Sequence, residues 1–202
     1  MVHALKKSEK IDSEVLNMQF RKAKLTDLET IIEILSDGKD QLAEKGIDQW
    51  QGDYPSRDQV IDDIKKGHAF LAQSNDGETV GTFAIVNAPD NSYETMHGNW
   101  LVDTDDYVTI HRVAIHSNHG GKGYATQLFK AIINHLATHH ANIQSIRIDT
   151  HVDNLAMQHL IDKMGFEKVG EMYGAYHQTD AVYVYELLTK KFAESKVSQN
   201  HG

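Results

Sequence analysis

Three glycines within four residues, in the stretch Gly120-Gly121-Lys122-Gly123-Tyr124-Ala125, constrain this chain more than any other segment. The stretch follows an apolar run that reads as a strand, Tyr107 to Ile115. It precedes a helical pattern from Thr126 to Leu136, in which Ala125, Leu128, Phe129, Ile132, Ile133 and Leu136 fall on one face. Glycine takes positive φ without steric cost and lets a ligand approach the backbone closely. A helix that begins directly afterwards offers unpaired N–H groups and the positive end of its dipole. Strand, glycine turn and helix N-terminus together form a phosphate cradle, so a phosphate-bearing ligand is the first expectation.

The strand before the turn is irregular. Val108 and Ile110 share one parity, whereas Val113 and Ile115 share the other. Strand side chains alternate between faces, so this switch predicts a β-bulge near His111 and Arg112 that bends the strand and disturbs its pairing. Downstream, Ile146, Ile148, Thr150 and Val152 alternate with Arg147, Asp149 and His151, the pattern of a half-buried strand. Asp153 or Asn154 caps a short helix packed through Met157, Leu160, Ile161 and Met164, and Gly165 stops it. Phe166 to Val169 and Ala181 to Leu188 read as closing strands.

Upstream, Met18 to Ala23 opens the domain. Thr26-x-x-Glu29 reads as a capping box ahead of the stripe Leu28, Ile31, Ile32, Leu35. Gly38 and Gly46 bracket a second helical stretch around Leu42, followed by an aromatic loop from Ile47 to Pro55. Ser56-x-x-Gln59 caps a helix through Ile64 that Gly67 ends. Ala69 to Gln73 and Val80 to Val86 flank Asn75-Asp76-Gly77-Glu78 as a hairpin, and residues 87–106 form a long polar connection carrying Tyr93 and Trp100. Residues 1–17 read as a flexible N-terminal extension, 18–188 as a single domain and 189–202 as a flexible tail.

Composition narrows the function classes. A net charge of −9 disfavours a general nucleic-acid binder and is compatible with a cationic substrate such as an amine. The absence of cysteine removes disulfides, thiolate metal ligands and a cysteine nucleophile. No apolar run reaches bilayer-spanning length and no signal-peptide pattern is present, which fits a cytoplasmic protein with no membrane partner. His135 and His139 are four apart on a helix, but no nearby Glu completes a metal motif; they read as solvated, and no metal is expected.

Rival readings of the glycine stretch fail on particular positions. A Walker loop needs Ser or Thr after Gly121-Lys122, where Gly123 stands, and a glycine where His116 stands. A dinucleotide fingerprint needs its third glycine at Thr126, although Asp149 lies at a plausible distance for a ribose contact. The whole segment instead resembles the Gcn5-related N-acetyltransferase (GNAT) superfamily: Val113-Ala114-Ile115, the glycine turn, and later Asn154 opening a short helix that ends in Gly165-Phe166. The resemblance covers residues 18–188. It implies an α/β (α+β) fold with a mixed, mostly antiparallel sheet of about six to seven strands flanked by helices, in which a bulged strand opens a coenzyme A cleft.

The same resemblance implies acetyl-coenzyme A as acyl donor and an N-acetyltransferase acting by direct attack of an amine in a ternary complex. Backbone N–H groups of Gly121, Gly123, Tyr124 and Ala125 would hold the pyrophosphate, within a turn that also includes Gly120 and Lys122. The main chain of Val113, Ala114 and Ile115 would run beside the pantetheine, which Asn154 would reach from the second helix. Two positions depart from the family pattern. Gly120 stands where Arg or Gln is usual, so Lys122 or His119 is left to supply charge. Ile161 stands where a Tyr is often found, so Tyr173, Tyr176, Tyr124 or water is left to protonate the departing thiolate.

His111, Asp149, His151 and Tyr173 are the catalytic candidates, and each histidine or aspartate reads equally as an ordinary polar partner on the sheet. Trp50, Tyr54 and Trp100 are candidate walls of the acceptor pocket, with Asp48 and Asp53 as attractors of a cationic amine. The expected acceptor is a small-molecule amine or a peptide, and the chain is expected to be a monomer or homodimer. The missing Tyr at Ile161 motivates an alternative, a non-catalytic acyl-coenzyme A binding or sensor protein.

Overall fold

The computed structural model describes residues 18–175 and 180–190. The expected extension at 1–17, Tyr176 and the tail from 191 onward lie outside the described residues. The strands are β1 (Gln19–Lys22), β2 (Ala69–Gln73), β3 (Thr79–Asn87), β4 (His97–Gly98), β5 (Tyr107–Ile115), β6 (Ser145–His151), β7 (Glu167–Tyr173) and β8 (Ala181–Leu188). The helices are α1 (Leu28–Glu44), α2 (Arg57–Lys66), α3 (Tyr124–His139) and α4 (Leu155–Lys163). One eight-stranded sheet has the order β1-β2-β3-β5-β6-β8-β7-β4. Among the described residues only the β5–β6 pair is parallel; the other neighbours are antiparallel. The strand beyond the expected six to seven is β4, two residues of the polar connection that pair with β7.

Helices cover both faces. Leu128, Phe129, Ile132, Ile133 and Leu136 of α3 bury against Phe83, Ile110, Ile146 and Ile148, with Ile161 of α4 completing the cluster. Each such side chain contributes about 1.5–3 kcal/mol by leaving water. On the opposite face Ile31, Ile34 and Leu35 of α1 and Val60 and Ile64 of α2 pack on Leu71 and Ala114. Further along that sheet, Tyr93, Met172, Val182 and Val184 form a smaller cluster with Trp100.

Two expectations about the first helices are corrected. Gly38 does not break α1, which runs unbroken for 17 residues. A Cβ on Gly38 would sit 3.3 Å from the Ala114 Cβ and 3.6 Å from Trp50 Cζ3. The glycine costs about 1 kcal/mol of helix propensity and lets α1 lie close on β5. The Thr26–Glu29 capping box does not form either. A 3₁₀ turn, Leu25–Asp27, precedes α1, and Asp27 accepts from the Lys24 N–H at 2.8 Å while paired with Arg21 at 2.8 Å. The Ser56 cap does form, accepting from the Gln59 N–H at 3.1 Å.

The bulge lies where the parity switch puts it. Thr82 pairs with Ala114 and Ala84 with His111, so Phe83 alone opposes Arg112 and Val113. Arg112 has φ 52°, a left-handed conformation unusual for a side chain of its size. Strands β5 and β6 pair only through Tyr107↔Ser145, Val108↔Ile146 and Thr109↔Arg147. Beyond Thr109 they diverge, while β6 stays paired with β8 as far as His151. Among the described residues no helix is long and apolar enough to cross a membrane.

Candidate functional site

The divergence of β5 from β6 opens a cleft of about 260 Å³. Ile110 to Ile115 form one wall, and Ile148, Asp149, Asn154, Met157 and Leu160 the other. Gln49, Trp50 and Tyr54, from the loop after α1, form the roof. Ile115 opposes Gly81, and the His116 N–H donates to Val80 O at 3.0 Å. This places the hydrogen-bonding groups of residues 114 and 116 towards β3 and, by alternation, those of Val113 and Ile115 towards the cleft. The Ile115 carbonyl there accepts from Gln41 Nε2 at 3.0 Å.

At the end of β5 the chain enters a 3₁₀ turn, Ser117–His119, and then the glycines. Asp37 of α1 anchors this turn, accepting from the Ser117 N–H at 2.8 Å and its hydroxyl at 2.5 Å. Burial pushes the Asp37 carboxyl up, but the two Ser117 hydrogen bonds, Gln41 and the nearby His116 outweigh it and leave the carboxyl below its ordinary value. Gly121 and Gly123 have φ 74° and 73°, the latter as the N-cap of α3 with no side chain to cap it. The first helical bond, from the Gln127 N–H to Gly123 O, leaves the Tyr124, Ala125 and Thr126 N–H groups without a partner inside the helix. A Cβ on Gly121 would meet nothing within 4 Å, so this part of the turn faces open space. Gly120 is tighter: its Cβ would stand 3.1 Å from Ser117 O, a close approach that a side chain there would meet by a small shift. Lys122 is exposed, whereas His119 is largely covered, edge-on to the Tyr124 ring at 6.1 Å.

Asn154 caps α4 by accepting from the Met157 N–H at 3.2 Å, and its amide donates to Gln49 Oε1 at 2.8 Å. Thr150 donates to the same oxygen at 3.4 Å, so the buried Gln49 side chain ties the roof to the far wall. Arg112, at the bulge, donates to the Tyr54 hydroxyl at 2.7 Å and to Asp63 of α2 at 3.0 Å. Its guanidinium is disfavoured by burial, yet Tyr54 and Asp63 hold it more firmly charged than usual. Burial raises the Tyr54 hydroxyl; Arg112 opposes that, and Asp149 and Asp63 add to it.

Two catalytic candidates line the cleft. His111 Nε2 stands 2.7 Å from Asp90 Oδ2, and Asp149 accepts from the Tyr93 hydroxyl at 2.9 Å. The Tyr93 ring is nearly parallel to the His111 ring, 6.3 Å away, so the two pairs adjoin. Burial pushes the Asp90 carboxyl up, but the hydrogen bond and charge of His111, with two bonds at Ser92, take it far below the ordinary range. Other expected site residues lie elsewhere. His151 is buried beside Asp180 and accepts from the Asp153 N–H at 3.2 Å. Tyr173 is exposed at the end of β7, bonded to Glu171 at 3.0 Å. Trp100 packs on the Arg147 guanidinium at 3.7 Å, with Tyr107 on the other side at 3.7 Å, because a buried cation there stacks between rings. Asp48 and Asp53 are exposed and outside the cleft lining. Ile161 is fully buried in the core. Sequence reasoning missed Asp37, Gln49, Asp63 and Asp90; only the bulge at Arg112 hinted that a polar partner was needed there.

A family model described as the acetyltransferase (GNAT) family matches residues 30–166. The uncharacterized N-acetyltransferase YesJ of Bacillus subtilis (strain 168) is 25% identical over 153 residues, covering 75% of this chain and 82% of that protein. A GNAT-family acetyltransferase structure from Streptococcus agalactiae superposes with a TM-score of 0.73 at 29% identity, over 85% of this chain and 95% of that one. A spermidine N-acetyltransferase of Vibrio cholerae, solved in complex with CoA and spermine, has a TM-score of 0.63 at 17% identity, covering 88% and 98%; this likeness is one of fold. With more than half of its length matched by the family model, the chain belongs to the GNAT acetyltransferase family.

Proposed function

We propose that this protein is an N-acetyltransferase that moves an acetyl group from acetyl-coenzyme A to an amine within a ternary complex. The single observation that carries the reading is the path from the diverging strands to the turn. Main chain of Val113 and Ile115 that has no partner on β6 borders a slot that ends at the glycine cradle of α3. The residues present fit the donor: a linear amide arm suits the strand edge, and a pyrophosphate suits the open N–H groups beside Gly121 and Gly123. When bound, acetyl-coenzyme A supplies the thioester whose carbonyl carbon the amine attacks. Asn154 keeps one amide hydrogen beyond the one it gives to Gln49, and that hydrogen is available to the arm.

Family membership and the Vibrio cholerae relative, whose complex contains CoA and an amine, support this reading. Trp50 and Tyr54 offer aromatic faces to a cationic acceptor, and Asp149 a carboxylate. Titration calorimetry with acetyl-coenzyme A, followed by thiol release on a panel of primary amines including spermine, tests it. No heat of donor binding at millimolar concentration refutes the proposal. The burial of Ile161, where the family often has a Tyr, favours a second reading as a non-catalytic acyl-coenzyme A sensor. Saturable thiol release with any amine of the panel eliminates that reading.

A further inference from the structure

The geometry points to Asp90 as a positioning residue that fixes His111 as the group accepting the proton of the acceptor amine; this rests on the transferase reading. Asp90 sits in the polar connection before β5, where no catalytic signal is visible in the sequence. Its backbone and both carboxylate oxygens are held. Its N–H donates to the Tyr107 hydroxyl at 2.9 Å, its Oδ1 accepts from the Ser92 N–H at 3.0 Å, and Oδ2 meets His111 Nε2 at 2.7 Å. Both side chains of the pair are largely covered, at 10% and 7% exposure.

A carboxylate only accepts, so the hydrogen between the two belongs to Nε2, and the ring serves as a base in the form that carries no second proton. The tautomer then leaves Nδ1 bare, and His111 lines the cleft at the bulge, where β5 and β6 part. The surrounding groups complete the account. Tyr93 stacks beside the ring and donates to Asp149 of β6; Arg112, next along the strand, is matched by Asp63 of α2; Tyr54 of the roof accepts from Arg112. Of the titratable groups lining this part of the cleft, an imidazole is the type whose proton affinity suits an exchange near neutral pH.

The protons and electrons balance. One proton of the acceptor ammonium passes to His111 Nδ1, and the freed nitrogen lone pair forms the C–N bond. The C–S bond breaks with its electron pair on sulfur, the surplus proton on nitrogen ends on that thiolate, and His111 releases its proton to water.

The test uses the full chain in two arms. In the first, ¹⁵N NMR of imidazole-labelled protein reads the neutral His111 ring as Nε2–H with a bare Nδ1. In Asp90→Asn the amide donates to Nε2 instead, and the proton moves to Nδ1. An Nδ1–H ring in the parent protein overturns the proposal. In the second, thiol release from acetyl-coenzyme A is followed against pH with the fastest amine of the panel. Asp90→Asn keeps the oxygen that caps Ser92, and His111→Gln keeps a donor for Asp90, so neither removes a structural bond. We expect kcat to fall about 100-fold or more in His111→Gln and at least about 10-fold in Asp90→Asn. The acetyl-coenzyme A Kd from calorimetry stays within about twofold. An Asp90→Asn enzyme with the parent's kcat overturns the proposal alone; a parent that acetylates no amine overturns the transferase reading and the proposal with it.

Discussion

Removal of Asp63 should loosen the bulge from a distance. Asp63 belongs to α2, outside the cleft lining, and its side chain is 5% exposed against the 8% exposed Arg112, with Nε and Oδ2 2.7 Å apart. Asp63→Ala leaves the Arg112 guanidinium buried with only the neutral Tyr54 hydroxyl as partner. Breaking one side of a buried ion pair costs about 3–5 kcal/mol, because the remaining charge keeps its desolvation penalty. For a domain of this size each kcal/mol lowers Tm by roughly 2–4 °C, so a fall of about 6–20 °C is expected. Urea unfolding and scanning calorimetry measure it. The left-handed backbone of Arg112 adds about 1–2 kcal/mol of strain that the pair holds in place. Adding Arg112→Gly to Asp63→Ala removes the stranded charge and the strain together, and should recover at least half of the lost stability. A loss below about 1 kcal/mol in Asp63→Ala, or a double variant less stable than the single one, refutes the idea that this pair pins the bulge.

Gly121→Ala projects a methyl into the open side of the turn at φ 74°, so it should cost about 1 kcal/mol of stability but weaken acetyl-coenzyme A binding at least tenfold in calorimetry. Hydrogen exchange should separate neighbouring amides: Val113 and Ile115 exchange fast in the free protein and slow on donor binding, while Ala114, paired with Thr82, is protected throughout. The hydrogen bond from Arg21 comes first among the causes that take the Asp27 carboxyl down to about 2; burial opposes it, and the Lys24 N–H adds to it. A depressed carboxyl stabilises the fold fully above its ordinary value near 3.8 and loses that contribution as pH falls through about 2. The pair faces solvent, so Asp27→Asn should cost at most about 1 kcal/mol at pH 6 in urea titrations, with the gap closing between pH 4 and 2. A gap that widens on acidification contradicts the pairing.

What could be read from the chain is what short-range patterns encode. Alternation placed β5 and β6, and its failure between Ile110 and Val113 placed the bulge to within a residue. Local caps at Ser56 and Asn154 were legible because the acceptor and the donor lie three residues apart. Gly38 misled because a glycine that breaks a helix and one that admits a neighbouring strand look alike in sequence; only the 3.3 Å approach to Ala114 tells them apart. Trp100 misled for a related reason, since an aromatic ring in a polar loop suits a ligand wall and an arginine stack equally. The partners Asp63, Asp90 and Gln49 are set by contacts 49, 21 and 105 residues long, and no local signal marks such carboxylates and amides from solvated ones.

A strand edge left unpaired inside a sheet is normally a liability, because each buried N–H or C=O without a partner costs about 1–3 kcal/mol. In this fold one extra residue resolves the conflict. Insertion at Arg112 turns β5 away from β6, so the edge of Val113 and Ile115 meets a cleft rather than dry protein. The same insertion keeps Val113 and Ile115 on the apolar face beside α3 and sends Arg112 across to α2, where Asp63 receives it. The next apolar contact on that side, Ala114 against Gly38, sets how closely α1 lies, and α1 in turn carries Asp37, which anchors the turn to the glycines. Strand edge and glycine turn are therefore fixed by one helix and one bulge, so a change that relaxes Arg112 should weaken both halves of the cleft together.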